Sequence, residues 1–206
     1  MLLSKPEIEK MFHKVAEIWQ ENKDYLSRID SRFGDGDHGV TIGKIASLIE
    51  KKLAAWEDDN IEEFLEDLGD STMEIGGGSA GPLYGTLISG LSGPLSGSGA
   101  IGEELLKEMF TECQSAMEDI TNAKVGDKTM MDALIPAVAA AVAAEGDCLA
   151  ILEAAAEAAA RGAKESEQYV SKFGRARSYK EQTIGTPDAG AVSTWLFFAG
   201  LCDGLH

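Results

Sequence analysis

The chain has 206 residues, 44% of them hydrophobic, which is enough for one domain with a full core and too apolar for a disordered segment. Its 35 acidic and 18 basic side chains leave a formal charge of −17, a field that repels DNA, RNA and anionic membrane surfaces and excludes them as partners. No long apolar stretch follows the N-terminus, and the most apolar run, Ala137 to Ala144, is too short to cross a bilayer, so neither a signal peptide nor a membrane span is expected. Cys113, Cys148 and Cys202 are odd in number and lack metal-ligand spacing, and read as buried free thiols of a cytoplasmic protein.

Ser4-Lys5-Pro6-Glu7 is a capping box with Pro in the first turn, and Ile8, Met11, Phe12, Val15, Ile18, Trp19 and Leu26 follow at helical spacing. This first helix ends near Asp30, before Gly34-Asp35-Gly36-Asp37-His38-Gly39. A second helix carries Ile42, Ile45, Ile49, Leu53 and Trp56. A third starts at Asn60-Ile61-Glu62-Glu63, presents Phe64, Leu65 and Leu68, and breaks at Gly76-Gly77-Gly78-Ser79. A fourth runs from about Ala80 to Leu91, with Pro82 tolerated in its first turn, and Ser92 to Gly99 is a Gly/Ser loop. The fifth is expected to bury Leu105, Met109, Cys113, Met117 and Ile120. After a break over Thr121 to Thr129, a sixth extends to about Ala144. Gly146-Asp147 is a turn and cap. The Ala-rich seventh helix reads as a closely packed one running to about Val170, a polar loop spans Lys172 to Pro187, and the last helix runs from Asp188 to Cys202. Period-two runs of Val, Ile and Thr are absent, so strands are not expected.

In an up-and-down array of helices, alternate connections share an end. The unusual loops follow helices one, three, five and seven, and are therefore expected to meet at one rim. The remaining connections are a short acidic turn, a flexible loop and a two-residue turn.

Asp30, Asp35 and Asp37 offer hard oxygen ligands around glycines that let the backbone fold tightly. Three such anions repel one another unless a cation sits among them. A calcium helix–loop–helix site wants an acidic residue nine positions after Asp37, where Ala46 stands. A divalent-metal site and a solvated turn with helix caps both remain open. His38 reads either as a cap or as a phosphate contact. In so acidic a chain, a nucleotide site needs local positive charge, which a metal supplies.

Gly76-Gly77-Gly78-Ser79-Ala80-Gly81 precedes a helix start, where backbone N–H groups and the helix dipole suit an anion, although a plain loop reads equally from the residues. No Gly-Lys-Ser/Thr follows it, so it is not a Walker loop. Arg175 and Arg177 suit a phosphate or surface ion pairs, and Asp188 after Pro187 reads as an N-cap.

Together these segments resemble the L subunit of dihydroxyacetone kinases. The resemblance rests on Asp30-x4-Asp35-Gly36-Asp37-His38-Gly39, Gly77-Gly78-Ser79-Ala80-Gly81-Pro82-Leu83-Tyr84-Gly85, Gly126-Asp127-Lys128-Thr129-Met130-x-Asp132, Gly174-Arg175-Ala176 and Pro187-Asp188-x-Gly190-Ala191, and it covers essentially the whole chain. It implies an all-α barrel of eight antiparallel helices, a single domain over residues 1–206, with a nucleotide at one rim. It implies two Mg²⁺ ions between Asp30, Asp35, Asp37 and the phosphates of ADP or ATP. His38, Thr41, Gly78, Ser79, Ala80, Met130, Arg175 and Asp188 fall at or beside nucleotide-holding positions, with Ser79 and its amides on phosphate, Met130 on adenine and Arg175 steadying the phosphates. Asp35 and Arg175 are the expected catalytic groups.

In the family a separate K subunit holds the ketose through a histidine, and a phosphocarrier M subunit recharges ADP in the sugar-phosphotransferase-linked systems. Val40-Thr41-Ile42 stands where those members have Thr-Asn-Met, and Gly-Arg-Ala-Arg-Ser-Tyr where many have Gly-Arg-Ala-Ser-Tyr. The length and Asp37-His38-Gly39 lean toward ADP recharged by the phosphocarrier, whereas Val40-Thr41 leans toward the alternative, an ATP-dependent subunit of another ketose kinase such as an erythrulose type. A nucleotide-sensing regulatory module is a further alternative, and a fatty-acid kinase N-domain is set aside because those chains continue well past this length. The ketose and the oligomeric state, a homodimer included, stay open.

Overall fold

A computed structural model describes residues 1–97 and 99–206, and contains eight α-helices among them. They are α1 (Lys5–Asp30), α2 (His38–Ala55), α3 (Ile61–Met73), α4 (Ala80–Gly90), α5 (Glu103–Ile120), α6 (Met131–Ala143), α7 (Cys148–Glu165) and α8 (Ala189–Asp203). The expected Gly/Ser loop includes Ser98, which lies outside the described residues. Among the described residues the sole β-type pairing is an isolated bridge between Leu3 and Ile101. No helix among them is long and apolar enough to cross a membrane.

Local chemistry explains the helix boundaries. The Ser4 N–H donates to the Glu7 carboxylate at 2.9 Å, closing the capping box with Pro6 in the first turn of α1. Asn60, Asp147 and Asp188 each accept a backbone N–H from the residue three positions on, starting α3, α7 and α8.

Each helix packs on its neighbours in sequence, and α8 closes against α1, so the eight helices form a ring. α8 is buried on nearly every side, which suits its lack of a polar face. Trp19, Tyr84, Phe12, Phe110, Phe197 and Phe198 are the largest wholly enclosed side chains. Trp19 meets Tyr84 edge-on at 5.0 Å, and its indole N–H donates to the Ser193 carbonyl at 2.9 Å.

The Ala-rich α7 is a packing device. A Cβ at Gly162 would lie 1.9 Å from the Asp132 carbonyl oxygen, so α6 and α7 touch backbone to backbone. Pro136, four residues after Asp132, lacks the N–H that this carbonyl would otherwise accept, and α6 runs through it.

The fold departs from the sequence reading at three places, the first being that α7 ends at Glu165 rather than near Val170. The buried face of α5 is Leu106, Met109, Phe110, Cys113 and Met117, whereas Ile120 is 53% exposed and Leu105 only partly covered. Phe110 packs against Phe198 at 5.4 Å and sets that rotation. The connection between α7 and α8 is not plain loop: it holds 3-10 turns at Ser166–Gln168 and Ala176–Thr183, the second kinked at Lys180 (φ +50°).

Candidate functional site

A cavity of about 530 Å³ opens at one end of the ring, and the connections after α1, α3, α5 and α7 all contribute walls. Asp30, Asp35, Asp37 and His38 come from the first, Gly77 to Ala80 from the second, Lys128 to Met131 from the third, and Phe173 to Ala176 with Asp188 to Gly190 from the fourth. The loop sorting therefore places the unusual segments together as the sequence leads one to expect.

One carboxylate oxygen from each of Asp30, Asp35 and Asp37 lies within 4.8 Å of the others. Asp30 also accepts the Gly36 N–H at 2.9 Å, so the end of α1 folds the following turn around itself. Desolvation works against ionising Asp35, but its hydrogen bond to Asp37 and the Arg175 charge hold it below the usual carboxylate range. Burial and the charges of Asp35 and Asp30 push Asp37 up. Hard oxygens at this spacing fit a divalent cation, whose metal–oxygen distances are about 2.0–2.6 Å.

The Gly-rich turn stands beside this cluster. Gly77 takes φ +134° and Gly78 φ +66°, and a Cβ at Gly77 would meet Thr41 Oγ1 at 2.4 Å. From Gly78 the same construction comes within 3.8 Å of an Asp37 oxygen. α4 begins directly after, with first-turn N–H groups that have no intrahelical acceptor. Opposite them, the largely exposed Arg175 guanidinium pairs with the Asp35 carboxylate.

Of the residues singled out in the sequence, Asp30, Asp35, Asp37, His38, Gly78, Ser79, Ala80, Met130, Arg175 and Asp188 all line the cavity. Thr41 does not: it is buried behind the turn and donates to the Gly77 carbonyl at 3.1 Å. Arg177 is exposed outside it. His38 Nε2 is bonded to Ser193 Oγ at 2.8 Å, and Ser193 to the buried Tyr84 hydroxyl at 2.6 Å. Burial pushes the imidazole down to about 4, so His38 is neutral and anchored into the core. Tyr84 is named in the sequence motif without a role, and Ser193 is an ordinary helical residue; their partners lie 109 and 155 positions away.

Asp188 accepts the Ala191 N–H at 2.8 Å. Burial first, opposed by that bond and reinforced by the charges of Asp132 and Asp30, pushes it up to about 7. A carboxyl with a folded pKa above its unfolded value near 4 binds more protons when folded, so its ionisation lowers stability as pH rises from about 4 to about 7. Asn caps a helix as well as Asp does. Asp188→Asn is therefore expected to stabilise the fold by roughly 1–3 kcal/mol at pH 8 and by little at pH 4, read from urea unfolding. An equal difference at both pH values would contradict this.

The comparisons with known proteins agree with one another. The DAK2 domain model matches residues 32–203. The ADP-binding subunit DhaL of the PEP-dependent dihydroxyacetone kinase of Escherichia coli (strain K12) is 30% identical over 196 residues, 94% of this chain and 93% of that one. A D-erythrulose kinase of Mycolicibacterium smegmatis is 30% identical over 191 residues, 90% of this chain and 33% of its own. The native-form crystal structure of the dihydroxyacetone kinase of C. freundii matches with a TM-score of 0.75 at 26% identity, over 95% of this chain and 34% of the other. The chain thus spans about a third of these last two relatives.

Proposed function

This chain belongs to the DAK2 domain family, and on that premise we propose that residues 1–206 form the nucleotide-binding, phosphoryl-handling subunit of a small-ketose kinase. Asp30, Asp35 and Asp37 hold Mg²⁺, two ions in number. The phosphates of ADP or ATP lie against Gly78, Ser79, Ala80 and Arg175, and the base lies toward Met130. A separate K-type subunit carries the ketose, and a phosphocarrier protein recharges the ADP; the Escherichia coli relative is named as the ADP-binding subunit of a PEP-dependent kinase.

The observation that carries this reading is the adjacency of two opposite sites: a three-carboxylate cluster and a helix N-terminus whose glycine turn faces it, a Cβ built on Gly78 lying 3.8 Å from an Asp37 oxygen. A cation alone needs only the first and an anion alone only the second. A metal–diphosphate needs both. Bound Mg²⁺ supplies charge neutralisation at the phosphates. The chain's own residues orient: the α4 amides point at the anion, Arg175 offers a planar fork that matches phosphate oxygens, and His38, being neutral and tied to Ser193, shapes the wall.

A second reading, an ATP-dependent subunit of an erythrulose-type kinase, is favoured by the equal 30% identity to the D-erythrulose kinase. Val40, one of the departures behind that reading, is 56% exposed and outside the cavity. Mixing this chain with a K-type subunit, a ketose and ATP alone separates the two. Ketose phosphate that appears only when a phosphorylated carrier is added supports the first, and multiple turnovers on ATP alone support the second. No phosphorylated ketose from either source would remove both.

A further inference from the structure

The segment from Ser166 to Asp188 carries Arg175 near its middle and leaves and re-enters the fold at one place. Gly185 N donates to the Glu167 carbonyl at 2.7 Å, Asp188 N to Ser166 Oγ at 2.9 Å, and Ser171 N to Thr183 Oγ1 at 3.0 Å. It is a strap with closed ends, whose tip at Arg175 meets Asp35 of the acidic cluster at the cavity wall.

Lys128 enters that closure from a different connection. Its ammonium donates to the Ser166 carbonyl at 2.5 Å and to the Thr186 carbonyl at 2.6 Å, one at each end of the strap. Lys128 is 5% exposed and takes φ +61°, a left-handed backbone conformation unfavourable for an L side chain. Lysine offers what the place requires: several donors on one atom and a charge set against the nearby anions Asp188, Asp132 and Glu167. The preceding Asp127 ties the same strap, accepting the Lys172 N–H on its carbonyl at 3.1 Å and the Lys172 ammonium on its carboxylate at 2.6 Å.

We infer that Lys128 is a positioning residue: its ammonium clamps both ends of the 166–188 strap and so holds Arg175 over the acidic cluster. The consequence for nucleotide rests on the function proposed above, whereas the clamp itself needs no ligand.

The test is a double-mutant cycle with magnesium and ADP as the probe, measured by calorimetry on the full chain. In the parent, Arg175→Ala weakens ADP binding on the order of tenfold. In a Lys128→Met background the same change has less than about a twofold effect, because Arg175 is no longer held in place. Should Met at 128 prevent folding, Lys128→Gln, which is shorter and keeps N–H donors without the charge, carries the same cycle. An Arg175→Ala effect of equal size in both backgrounds, including no effect in either, overturns the inference and leaves Lys128 a stabiliser of the fold alone.

A second arm uses no ligand. Lys172, Arg175, Arg177 and Lys180 are exposed tryptic sites on the strap. Lys128→Met is expected to speed their cleavage several-fold relative to sites elsewhere in the chain, and unchanged relative rates overturn the clamp. If the parent fails to bind magnesium and ADP, the proposed function falls, and this arm still decides the clamp.

Discussion

Asp35→Asn is expected to abolish magnesium-dependent ADP binding and to lower ketose phosphorylation, assayed with a K-type subunit, by at least about a thousandfold. The reason is electrostatic. Asp35 is the member of the cluster that also meets Arg175, so it joins the cation side of the site to the phosphate side. A neutral amide keeps the size of the side chain and loses the charge. The thermal midpoint is expected to stay the same or rise slightly. Removing one of three crowded carboxylates relieves repulsion, and the ion pair lost with it is exposed and weak. Full turnover by the mutant, or a fold lost along with activity, would contradict this assignment.

Asp132→Ala has the largest expected effect on stability, about 3–5 kcal/mol by urea unfolding. Asp132 is fully buried and accepts the Gly126 and Thr129 N–H groups, each at 2.6 Å, thereby wrapping the whole α5–α6 connection around the start of α6. Burial pushes its pKa up, and those amides oppose the shift. Ala leaves two part-buried amides without acceptors and takes an anion away from the buried Lys128. Asp132→Asn keeps one good acceptor and should lose less. A loss for Asp132→Ala below about 1 kcal/mol would mean that the loop finds other partners.

Much of the fold is legible because its boundaries are local. A capping box, three side-chain N-caps and runs of glycine act within a few residues, and each marks a helix end that the structure contains. The up-and-down arrangement then follows from short connections, and with it the meeting of the unusual loops at one rim. The acidic cluster is legible for the same reason, since Asp30, Asp35 and Asp37 fall within eight residues of one another. What depends on distant partners is not. The rotation of α5 is set by Phe110 against Phe198, 88 positions away. Thr41 looks like a cavity residue in sequence and turns instead to the Gly77 carbonyl. Lys128 sits among loop residues with nothing local to mark it as buried, because its two acceptors are 38 and 58 positions on.

The central claim is that the three carboxylates act as a cation site which anchors a diphosphate. Calorimetric titration of ADP into the purified chain, with magnesium and then with EDTA, tests it most directly. The account predicts saturable, stoichiometric binding in magnesium that vanishes in EDTA. Equal ADP affinity in both conditions, or none in either, would contradict it.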